Sequence, residues 1–138
     1  MIRFKMTRIA VPQFAILQDT LPQTSIELST ELSFQYSMEA MQIACGVNYK
    51  FRTDDSVFLI LVCQCDFKIH PEDWKNMQTE DGLTIPKSVM EILAAHTIGT
   101  SRGILFCKTE STPFNSLIIP PINVENMMKD ECEFVKAQ

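Results

Sequence analysis

Although 46% of its 138 residues are hydrophobic, the chain has no apolar run approaching the roughly 20 residues that a membrane-spanning helix needs. The opening stretch carries basic side chains, but Pro12, Gln13 and Gln18 interrupt its apolar residues, so it lacks the unbroken core of a secretory signal. Positive charge is scarce as well. Twelve Lys and Arg against seventeen Asp and Glu leave a formal net charge of -5, whereas binding a phosphate backbone requires a concentrated excess of cations. Arg3, Lys5 and Arg8 form the one basic cluster, and with Lys50 and Arg52 they suit the solvent face of strands. Neither nucleic acid nor membrane insertion is expected. The five cysteines, Cys45, Cys63, Cys65, Cys107 and Cys132, are odd in number and scattered through apolar sequence, the usage of buried free thiols in a reducing compartment. Disulfides are not expected, and a cytoplasmic location is.

Recognisable catalytic chemistry is also missing. Cys63-Gln64-Cys65 puts two sulfurs on one face of a strand, but metal and redox pairs need an intervening turn of the Cys-x-x-Cys kind. His70 and His96 have no second His or Cys at a ligand-like interval; His70 ends a strand beside Pro71 and Glu72, and His96 falls on the apolar side of a helix. Gly99-Thr100-Ser101-Arg102-Gly103 precedes a helix start, where anions bind, yet it has no Gly-Lys-Ser or Gly-Lys-Thr ending and follows no strand. The acidic clusters at Glu72-Asp73, Glu80-Asp81 and 130–133 lie in polar sequence that would not raise a carboxyl pKa. No metal, cofactor or catalytic residue is expected.

What the chain does have is pattern. Its length suits a single domain, 1–138, able to bury roughly 68% of its unfolded surface. Ile26, Leu28, Leu32, Phe34 and Tyr36 alternate with polar neighbours, Met41 to Phe51 repeats this on odd positions, and Val57 to Ile69 makes a third strand. The third strand starts apolar on both faces, so its first half is expected under another layer. Ile2, Phe4 and Met6 supply a fourth strand, followed by a long connection from Ala10 to Gln23. Short links between long strands predict an antiparallel meander. Helices should cover one face: one carrying Val89, Ile92, Leu93 and His96, with Thr84 as cap and Gly99 past its end; a second capped by Ser101; a third from Asn123 through Met128. Residues 1–82 are thus mainly strands and 83–138 mainly helices, an α+β fold.

Eight methionines and nine phenylalanines supply adaptable apolar surface. Phe14, Ile16, Leu17 and Leu21 fall in the long connection, and Trp74 and Met77 in a polar stretch after the third strand. Such side chains either pack beneath their loops or line a groove that receives another chain.

The order of a leading strand, a long crossover, three meandering strands and then helices resembles the SecB-like protein-export chaperone superfamily over nearly the whole chain. In that family Leu-Phe-Pro-Tyr-Ala-Arg opens the long helix, and a Phe-Pro segment precedes Leu-x-Pro-Ile-Asn-Phe. Here Thr97-Ile98-Gly99-Thr100-Ser101-Arg102 stands at the first motif, matching at Arg102. Phe114 takes the phenylalanine of the second, with Asn115 in place of its proline, and Ile119-Pro120-Pro121-Ile122-Asn123-Val124 sits on the third. The interval back to Arg102 is shared. Independently of any family, Pro120 and Pro121 force an extended chain and Asn123 can cap the last helix, so Arg102, Phe114, Pro120, Pro121 and Asn123 are assigned structural roles.

The resemblance implies an ATP-independent holding chaperone or adaptor, a homo-oligomer (dimer or tetramer) that binds unfolded or partly folded polypeptides in apolar grooves, in protein export or in service of another client such as an antitoxin. Phe14, Ile16, Leu17, Trp74 and Met77 are the groove candidates. The competing readings are an interaction module with one dedicated partner, and an enzyme or small-molecule binder assembled from His70, Glu72 and Arg102.

Overall fold

The computed structural model describes residues 1–54, 56–127 and 132–135, the last four by their backbone only. Four long strands, β1 (Phe4–Ile16), β2 (Glu27–Ser37), β3 (Gln42–Arg52) and β4 (Val57–Ile69), are followed by a short helix α1 (Pro71–Met77) and a strand β5 (Gly82–Ile85). The long helix α2 (Lys87–Lys108), a 3-10 turn at Pro113–Ser116, the single turn α3 (Val124–Met127) and strand β6 (Cys132–Val135) complete the chain.

Strand order in the main sheet is β1-β4-β3-β2, antiparallel throughout. The meander and the α+β class follow the alternation in the sequence. Because β1 and β2 occupy opposite edges, the connection 17–26 must cross the end of the sheet. β1 is much longer than its apolar pattern suggests: its register against β4 slips between Met6 and Arg8 and again between Ala10 and Gln13. Those bulges break the period of two, and Pro12 is tolerated because an edge strand has one side without ladder partners. Phe14 and Ile16 therefore belong to β1, paired with Leu61 and Leu59, rather than to a loop.

Register places Ile43, Cys45, Val47, Tyr49 and Phe51 of β3 beside Phe67, Cys65, Cys63, Leu61 and Leu59 of β4 on one face, and every one of them is buried. α2 lies on that face. It buries Val89, Met90, Leu93, Ala94, Thr97, Ile98, Ser101 and Leu105, a stripe at helical spacing. The two shorter helices expected over 87–108 are one. Gly99 and Ser101 sit inside it, since burial of the sheet-facing stripe outweighs the ~1 kcal/mol helix penalty of a glycine. Ser101 Oγ caps nothing; it donates to the Thr97 carbonyl at 2.7 Å. Thr84 lies in β5, and Pro86 occupies the position before α2. Asn123 does cap α3, its Oδ1 accepting from the Asn126 N–H at 3.2 Å; Met128 lies outside the described residues.

On the opposite face of the sheet Ile60 and Val62 remain half-buried rather than covered, flanked by small or polar residues such as Ala15, Gln64 and Lys50. At its centre a Cβ on Gly46 would meet Ser33 Oγ at 2.7 Å, so a larger residue there requires that exposed hydroxyl to rotate away. Cys45, Cys63 and Cys65 are buried thiols, but Cys107, on the outer side of α2, is exposed. No described helix is long and apolar enough to cross a membrane.

Candidate functional site

The long helix covers only the middle of the sheet, because it lies over β3 and β4. The apolar rows of the two edge strands share its face but stay half-buried: Leu28, Leu32, Phe34 and Tyr36 on β2, and Phe4, Met6, Phe14 and Ile16 on β1. Two apolar strips thus flank α2. At the end crossed by the connection 17–26, Leu17 donates its N–H to the Phe58 carbonyl at 2.8 Å and Phe58 packs between Phe51 and Phe114. Leu17 itself is 57% exposed. β2 also presents its outer edge without a ladder partner among the described residues.

Of the groove candidates, Phe14, Ile16 and Leu17 gather at this end of the sheet. Trp74 and Met77 do not. They are 2% and 7% exposed, and the stretch that holds them is a helix rather than a loop. His70 caps α1 by accepting from the Glu72 N–H on Nδ1 at 3.2 Å, Pro71 starts it, and the spacing of three turns Trp74 and Met77 to its buried side. What the sequence pattern missed is the β2 row as an open surface. Its alternation was plain, but which half-buried strand a helix leaves uncovered is decided by tertiary packing.

The shifted groups among the described residues are an exposed ion pair and a set of buried thiols with one phenol. Arg3 holds Asp73 below the usual carboxylate range by hydrogen bonds from its side chain and backbone, at 3.0 and 2.8 Å, and reaches Glu72 at 3.2 Å. Burial pushes the Cys45 thiol and the Tyr49 phenol up to about 12 and raises Cys63 and Cys65 as well. These thiols are poor nucleophiles while α2 covers them. No three His, Cys, Asp or Glu side chains among the described residues are placed to hold a metal ion. His96 is exposed rather than turned inward, with its ring against Phe4 at 5.4 Å.

His70, Glu72 and Arg102 are not brought together. His70 and Glu72 stand at the start of α1, whereas Arg102 donates from Nε and a terminal nitrogen to the carbonyls of Ile119 and Pro120, each at 2.8 Å. Phe114 is buried against Phe58. Pro120, Pro121 and Asn123 are exposed along the extended segment that leads into α3.

No protein-family model matches the chain, and no curated protein matches it by sequence. Among solved structures it is similar to the SecB-like chaperone Rv1957 of Mycobacterium tuberculosis, solved in complex with a ChAD peptide from the antitoxin HigA1. The TM-score is 0.58 at 12% identity, over 88% of this chain and 91% of that one. A protein of unknown function from Streptococcus agalactiae aligns at a TM-score of 0.37 and 16% identity, over 80% of this chain and 90% of that one. The chain therefore has a SecB-like fold: an antiparallel sheet ordered β1-β4-β3-β2, backed by one long helix.

Proposed function

We propose that this protein is a non-enzymatic, ATP-independent holding chaperone or adaptor that takes extended, non-native polypeptide along the apolar strips beside α2. The observation that carries this reading is the row Leu28, Leu32, Phe34 and Tyr36, half-open on an edge strand next to fully buried rows. A client strand laid there would bury apolar area worth about 25 cal/mol per Å2, without directional demands on its sequence. Phe14, Ile16 and Leu17 extend the contact at the crossover end. The antitoxin peptide in complex with the similar solved chaperone supports a polypeptide partner for this fold. Exposed Phe106 and Ile118 favour assembly of the chain with itself, in the cytoplasm.

Light scattering from a chemically unfolded test protein diluted into buffer tests the reading. The expected result is suppression of aggregation at stoichiometric concentration, weakened in Leu17→Glu, an exposed position where the substitution leaves thermal stability unchanged. Full aggregation at several-fold molar excess of the wild type would overturn it. Recovery of one stoichiometric protein from native lysate would assign the adaptor role; many substoichiometric ones, the general holding role.

A further inference from the structure

We propose that the corner of the sheet where β1 begins and β4 ends is a second docking surface, fitted to a polypeptide segment in which an apolar side chain is flanked by carboxylates. The inference rests on the holding function above and names the chemistry of one part of the client.

A shallow cavity of about 290 Å3 opens at this corner, walled mainly by apolar surface between Phe4, Lys5, Lys68, Ile69 and Pro71, with His70 and the ion-paired Arg3 also in its lining. Lys5 and Lys68 stand directly opposite one another across the β1–β4 pair, and both are exposed. Like charges in that relation destabilise a strand pair, so this corner carries an electrostatic penalty that an anionic partner would relieve. The neighbouring cations are already matched: Arg3 is engaged by Asp73 and Glu72, and Arg8 lies 3.9 Å from Asp66. Among the described residues Lys5 and Lys68 have no such carboxylate. Two unmatched ammonium groups thus rim an apolar depression on a chain whose net charge is -5.

Complementarity follows from the side chains. Lysine stems lie along apolar surface while their heads stay in water, so the methylenes of Lys5 and Lys68 with Pro71 form the seat for one apolar side chain, and the ammonium groups take carboxylates on either side of it. Phe4 lines this cavity and also opens the β1 strip beside α2. The Phe4 ring faces α2 whereas Lys5 and Lys68 point to the other face of the sheet, so a segment passing from that strip to the corner rounds the β1 edge.

Fluorescence anisotropy with a short labelled peptide, Leu-Phe flanked on both sides by Glu, and with analogues carrying Gln or Lys in place of Glu, tests the surface. The wild type is expected to bind the Glu peptide most tightly and the Lys peptide least, with the preference weakening as salt is added. K5Q/K68Q should lose about tenfold in affinity for the Glu peptide, the order expected of two exposed ion pairs, and K5E/K68E should invert the order. Both positions are exposed, so the variants keep the fold, which circular dichroism checks. Equal binding of the three peptides, or an unchanged preference in K5Q/K68Q, would overturn the proposal. If the wild type still suppresses aggregation in that case, the holding function stands and only this surface falls; if it does not, the failure lies with the holding function.

Discussion

One guanidinium ties the extended segment at Ile119 and Pro120 to the long helix. Arg102 projects from α2 and donates to two successive carbonyls, Ile119 and Pro120. The prolines at 120 and 121 keep this stretch extended and remove the N–H groups that would otherwise draw it into a ladder. The fork of an arginine matches two adjacent acceptors, where an ammonium group can serve one fully. Behind the clamp Ile119 is 1% exposed, so releasing the carbonyls also loosens a core residue. Arg102→Ala is expected to lower stability by about 2 kcal/mol, the scale of hydrogen bonds from a charged donor, and Arg102→Lys to recover part of it; urea midpoints check both. A result equal to wild type for the alanine variant would mean that the tail docks through Ile119 and Phe114 alone.

At the scale of elements, α2 contains two glycines that its own fold does not require. A Cβ added at Gly99 or Gly103 would meet nothing within 4 Å, and each glycine costs a helix interior about 1 kcal/mol relative to alanine. Gly99→Ala and Gly103→Ala are each expected to raise the unfolding free energy by about that amount, read from the shift of the urea midpoint. The same residues mark where reading the sequence fell short. Gly99 and Ser101 carry the local chemistry of a helix end and a helix start, and only the sheet beneath them, which buries Thr97 and Ser101, makes the helix run through. Strands fared better: β2, β3 and β4 were legible to within a residue or so because each turns one apolar face, buried in β3 and β4 and half-buried in β2, to the helix side and the period of two survives. β1 was legible only to the first bulge: between the two bulges the helix-side position falls to the odd residue Ile9, and Phe14 and Ile16 return to the phase of Phe4 and Met6 only after the second. α1 was hidden because seven residues contain just two inward positions, Trp74 and Met77. The open strip on β2 was half legible, since its apolar row is in the sequence whereas the width of the helical cover is not.

For the molecule as a whole, a layer of soft and small side chains joins helix to sheet. Cys45, Cys63, Cys65 and Tyr49 rise from β3 and β4 beneath Thr97 and Ser101 of α2, all within the buried core. α2 seals this layer while leaving the edge rows open, so the same placement that leaves the apolar strips half-open keeps the thiols protonated. Burial is the first cause of the raised values of all four groups. A group whose pKa is higher in the folded than in the unfolded chain contributes stability that is complete below its unfolded value and lost as pH rises toward the folded one. Cys45 has an ordinary value of 9.0 and a folded value of about 12, so the loss begins near pH 9 and reaches about 1 kcal/mol from this residue alone at pH 10. Cys63 and Cys65 shift in the same direction and add to the slope. Urea midpoints measured from pH 7 to 10.5 are therefore expected to fall steeply above pH 9. Cys45→Ala/Cys65→Ala, less stable than the wild type at neutral pH because two buried sulfurs are removed, should lose less over the same interval. Parallel curves for the two proteins would place the alkaline limit elsewhere than beneath the long helix.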